Sequence, residues 1–203
     1  MAFLGHTTPP PFYSNEDDNF YCGQACLRMA YEHLTGLPLS FADANIHTRY
    51  DGGPHLFAPS MLGFLAGAGL DVTHIELKQD HLHILAPHTH LTLEQRTPEI
   101  TDVIAILSEG GVIITSLNYF GVVTNDNAPL TQQDAFGLYG ENEKYSGHYV
   151  MLYDIDPKHR LVRLHNPGLP PHPAQELGYD ALLAAMYSPA RDMGNVTAIR
   201  RAA

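Results

Sequence analysis

The chain has 203 residues, with 11 Lys and Arg against 22 Asp and Glu and a formal net charge of −11, an unfavourable balance for a nucleic-acid partner. Hydrophobic residues make up 44% and charged residues 16%, too apolar for a disordered chain, and this length folds as one domain without disulfides or a structural metal. No run approaches the ~18 apolar residues of a membrane span, and the opening MAFLGHTTPPPFYSNEDDN has no basic-then-apolar secretory pattern.

The expectation is a single cytoplasmic domain over residues 1–203, with residues 1–14, including Pro9-Pro10-Pro11, as an extended arm. A helix is predicted from about Gly23, where Ala25, Cys26, Met29, Ala30, His33 and Leu34 recur at helical spacing and Gly36 with Pro38 stops the run. Ser40 is placed to cap a second helix running to about His47. A third covers Pro59 to Ala66 and ends in the Gly67 to Gly69 region, before a strand over Leu70 to Leu77.

The clearest helical stripe is Ile100, Val103, Ile104 and Leu107, inside a helix predicted from Thr97, as cap, to Glu109. Val112 to Leu117 then reads as a buried strand. The polar stretch from Asn118 to Ser146 is too long for an idle connection and is expected to be a functional loop or lid. Gly147 to Ile155 and Arg160 to His165 form a hairpin around Asp156 to His159. A short helix near Tyr179 to Met186 and a strand from Asn195 to Arg200 complete the pattern. Helices first and strands later make the fold class α+β, with the N-terminal helices packed on a mostly antiparallel sheet.

Two cysteines, Cys22 and Cys26, stand one helical turn apart. A cysteine at a helix start meets the positive end of the helix dipole and backbone N–H groups with no partner in the helix, which favour the nucleophilic thiolate. Gly23 leaves room for a carbonyl to approach. Cys26 sits inside the helix among Ala25, Leu27 and Met29, where a small buried hydrophobe is the natural reading.

A nucleophilic cysteine needs a base and an orienting group. Gly147-His148-Tyr149 puts a histidine at the start of an apolar strand, and Asn166 ends the strand after the hairpin turn. If the chain reverses around Asp156 to His159, His148 and Asn166 become neighbours at one sheet end. An Asn there accepts an imidazole N–H, fixes the tautomer and aims the other nitrogen at the thiol.

The blocks CGQACLRMAYEHLTG, GLDV and EGGVIITSL, with the pair GHYVMLYDID and LVRLHNPG, resemble the bacteriocin-processing, double-glycine-leader cysteine peptidases, and more broadly the standalone members of that papain-like group, over about Asn15 to Gly168. The resemblance implies a papain-like fold, Cys22 as nucleophile, His148 as general base and Asn166 as orienter, with no cofactor. That family usually carries Asp before the Pro, where this chain has Asn166, and a Gln about six residues before the cysteine, where this chain has Glu16. Asn15 is the candidate oxyanion donor in its place. The family's leader peptidases are commonly fused to a membrane transporter; this chain contains no such segment.

Two further clusters stand apart. His81, His83, His88 and His90 form two His-x-His pairs which, on a strand, share a face. The same alternation marks a solvated strand face, which is preferred to a zinc site. The acidic run Glu16, Asp17 and Asp18 reads as a solvated loop, or as an attractor for a cationic substrate near Cys22. The expectation is cysteine-dependent acyl transfer on an amide or peptide bond, with hydrolysis preferred. An amide-forming acyltransferase with the same three residues, or a silent peptide-binding module, are the alternatives.

Overall fold

A computed structural model of the protein describes residues 8–14, 22–48, 57–79, 82, 85–118, 147–168, 171–186 and 194–202. The first helix, α1 (Cys22–Thr35), buries Ala25, Cys26, Met29, Ala30 and Leu34 at the expected spacing. Gly36, at φ +75°, takes the left-handed conformation that closes the helix, and its N–H bonds to the Glu32 carbonyl at 2.8 Å. In α2 (Phe41–Thr48) the Ser40 hydroxyl accepts the Asp43 N–H at 3.1 Å, the cap the sequence implies. Next come α3 (Phe57–Gly67), β1 (Leu70–Glu76) and β2 (Leu91–Glu94), the last with no counterpart in the sequence reading.

Helix α4 (Ile100–Ser108) begins later than expected, because Glu99 rather than Thr97 is its cap. The Asp102 carboxylate decides this. It accepts the Glu99 N–H at 2.7 Å and is gripped by both terminal nitrogens of Arg96, at 2.8 and 2.7 Å, which hold its pKa below the usual carboxylate range. Then follow β3 (Val112–Asn118), β4 (Gly147–Asp156), β5 (Leu161–Asn166), β6 (His172–Gly178), α5 (Tyr179–Met186) and β7 (Asn195–Arg201).

The strands form one seven-stranded sheet in the order β2-β1-β7-β3-β4-β5-β6. Only the β1–β2 pair is parallel, so the fold is α+β with a mixed, mostly antiparallel sheet. Alternation along the strands splits the core in two. Val112, Ile114, Met151, Tyr153 and Ile199 face α1, α2 and α3, while Ile113, Val150, Leu152, Leu164 and Ala198 face α4 and α5. The N-terminal helices therefore pack on one face as expected, and α4 and α5 cover the other.

The described part of the arm, residues 8–14, is held in place rather than trailing. His165 Nε2 donates to the Pro10 carbonyl at 3.0 Å, and the Phe12 ring stands edge-on to His165 at 5.2 Å. The Tyr13 hydroxyl bonds Glu32, and the Arg28 guanidinium lies 3.8 Å from the Tyr13 ring centroid. These contacts join the arm to β5 and to α1 just before the chain reaches Cys22.

Candidate active site

Cys22 is the first residue of α1, and its sulfur accepts the backbone N–H of Tyr149 at 3.5 Å. Tyr149 is opposite Ser116 in the β3–β4 ladder, whereas the β4–β5 ladder stops at Met151 and His165. Backbone N–H groups lie near the plane of a sheet. The sulfur therefore sits close to that plane, on the β5 side of β4, past the last paired residues. His148, the second residue of β4, shares its parity with Val150 and Leu152, while Tyr149 faces α1 with Met151. Helix and imidazole thus reach the sheet end from opposite faces.

The hairpin brings His148 and Asn166 together. Its turn is fixed by Asp156, whose carboxylate accepts the His159 N–H at 3.1 Å and bonds the His159 ring at 2.7 Å. His148 Nε2 lies 2.7 Å from Asn166 Oδ1, and both residues are buried, at 3% and 0% exposure. The proton positions follow from the backbone. Asn166 Oδ1 also accepts the Gly168 N–H at 3.0 Å, and a main-chain N–H is always a donor, so this atom is the amide oxygen. His148 Nε2 must then carry the hydrogen it donates, which leaves the lone pair on Nδ1.

The electrostatics differ from the sequence expectation. The helix start was expected to favour thiolate. Burial instead pushes the Cys22 thiol up, and the N–H groups of Tyr149, Gly23 and Cys22 offset this only in part. Burial also lowers His148 to about 4, against a smaller opposing effect of its Asn166 bond. Both shifts favour the neutral forms, a thiol at Cys22 and an imidazole at His148. Cys26 is fully enclosed, and its thiol is pushed well above the ordinary value by burial and by Cys22, in line with a core role.

Other expectations meet the structure unevenly. Asn15, the acidic run Glu16 to Asp18, His81, His83 and the loop over residues 119–146 lie outside the described residues. His88 and His90 are not on a strand: they precede β2 in a turn, with ring centroids 5.8 Å apart. The Asp71 carboxylate holds His90 Nδ1 at 2.7 Å, and no group of three metal-ligating side chains occurs among the described residues. No helix among the described residues is long and apolar enough to cross a membrane.

Gly168 and Gln175 both bond Asn166, and no local pattern singles either of them out. A second buried polar network, also unforeseen, runs across the same sheet end. His74 bonds Thr197 at 2.8 Å and Glu76 at 3.2 Å, and the Asn195 side chain accepts the Ser116 N–H at 3.1 Å. No protein-family model matches the chain, and no curated protein matches it.

Proposed function

We propose that the protein is a papain-like cysteine enzyme that transfers an acyl group from an amide or peptide bond to water, with Cys22 as nucleophile, His148 as general base and Asn166 as its orienter. One observation carries this reading. The Asn166 amide oxygen, identified by the Gly168 N–H it accepts, faces His148 Nε2, and the residue after His148 donates its N–H to the Cys22 sulfur.

The resting state is neutral, so proton transfer accompanies attack. His148 Nδ1 takes the thiol proton as the sulfur bonds to the carbonyl carbon, and the carbonyl oxygen becomes an oxyanion. Backbone N–H groups at the start of α1 face that charge at the positive end of the helix. The imidazolium, held by Asn166, returns the proton to the leaving amine as the C–N bond breaks and a thioester forms. Water, deprotonated by the same nitrogen, then releases the acid and regenerates the thiol. An amine in place of water would give an amide-forming acyltransferase by the same steps.

A panel of fluorogenic peptide amides tests the reading. Hydrolysis by the wild type, lost in both Cys22→Ala and His148→Ala while each stays folded, supports it. Hydrolysis that survives Cys22→Ala overturns it.

A further inference from the structure

We propose that Gln175 is a positioning residue, which through the Asn166 amide holds His148 in the tautomer that makes Nδ1 the base; the proposal rests on the Cys22–His148–Asn166 reading above. An asparagine amide turns through a half rotation with almost no change in shape, and its two orientations offer His148 opposite chemistry. Gly168 holds one end, donating its N–H to Oδ1 at 3.0 Å, and Gln175 holds the other, its Oε1 accepting from Nδ2 at 3.3 Å. A turned amide would set Nδ2 against the Gly168 N–H and, with Gln175 kept in its present orientation, Oδ1 against the Gln175 oxygen. Asn166 is fully buried and Gln175 is 7% exposed, so water has little access to repair either mismatch.

The backbone around Gln175 is built irregularly. Leu164 pairs with Gln175 but Asn166 pairs with His172, so Pro173 and Ala174 together oppose the single residue His165. Ala174 sits at φ +56°, a conformation that a residue with a Cβ seldom adopts. Its N–H donates to His165 Nδ1 at 3.1 Å, which pins the bulge. Bulges re-aim side chains beside functional groups, and local strain persists where the surroundings over-determine it. Here the re-aimed side chain reaches the orienter of the proposed base.

Without the Gln175 acceptor, the Asn166 amide has one anchor instead of two. The turned form then offers N–H groups to His148 Nε2, the imidazole hydrogen moves to Nδ1, and the lone pair needed at the thiol is lost.

NMR of the full-length protein with ¹⁵N-labelled histidine reads the His148 tautomer directly and needs no substrate. The wild type is expected to show Nε2–H alone. Gln175→Met is expected to populate Nδ1–H, and Gln175→Glu, which keeps an oxygen toward Asn166, is expected to retain Nε2–H. Should the Met variant not fold, Gln175→Asn, one methylene shorter, carries the same expectation. An unchanged Nε2–H signal in a folded Gln175→Met or Gln175→Asn variant overturns the proposal. Failure of the acyl-transfer reading would instead show as a Cys22 that forms no acyl adduct, whatever the tautomer.

Discussion

The backbone N–H of Tyr149 meets the sulfur of Cys22 at 3.5 Å, although 127 positions separate them in the chain. Through this contact the start of α1 is tied to the strand that carries His148. It also ranks the forces on the thiol: main-chain N–H groups pull its pKa down, and enclosure pushes it up further.

That ranking predicts how Cys22 titrates. Its alkylation by iodoacetamide should keep accelerating through the ordinary thiol range near ~8.5, with no plateau near neutral pH. Cys26 should stay unlabelled until the protein unfolds. A plateau on the acid side of neutrality would mean a preformed thiolate–imidazolium pair and contradict the neutral resting state.

The two cysteines should separate cleanly on mutation. Cys22→Ala should abolish turnover with little change in the denaturation midpoint. Cys26→Ala removes a fully buried side chain from the core and should cost about 1–2 kcal/mol, as read by urea unfolding, while turnover persists.

Stability should fall on acidification for a reason that can be assigned. Burial lowers His148 from 6.5 to about 4, so between these values the unfolded chain binds the proton and the folded one does not. The stability contributed by neutral His148 is complete above the unfolded pKa and is lost as pH falls toward about 4, about 3 kcal/mol in all. His165, also lowered by burial, adds a slope of the same sign. In His148→Gln the dependence should be shallower; parallel slopes for variant and wild type would exclude this origin.

Asn166 should answer differently to two substitutions. Asn166→Ala leaves the Gly168 N–H and the His148 Nε2–H buried without their acceptor, which should cost about 2 kcal/mol of stability and lower kcat roughly 10²-fold. Asn166→Asp puts a carboxylate against the imidazole and favours its charged form. The acid limb of the pH–rate profile should then move to higher pH. A limb that stays in place would show that His148 is not the titrating group.

Much of this was legible in the chain. Apolar spacing in α1, the runs of β3 and β4 and the Asp156 to His159 turn specify local structure, and the hairpin alone brings His148 to Asn166. What escaped depends on distant partners. β2 is four residues long, and β6 carries Pro173 and no β-branched residue. Each becomes a strand because β1 or β5 offers it an edge, which no local pattern records. The insertion of β7 between β1 and β3 is likewise a long-range pairing. The thiol shows the same limit: the helix-start N–H groups that draw its pKa down are visible in sequence, whereas the enclosure that raises it is not.

The most direct test of the central claim is to trap the covalent intermediate. Intact-protein mass spectrometry after acid quench of the full chain with an activated peptide ester should show one acyl group, mapped to Cys22. His148→Ala should accumulate it far more slowly and Cys22→Ala not at all. Turnover of the ester with no acyl adduct on Cys22, or with the adduct on another residue, would contradict the account.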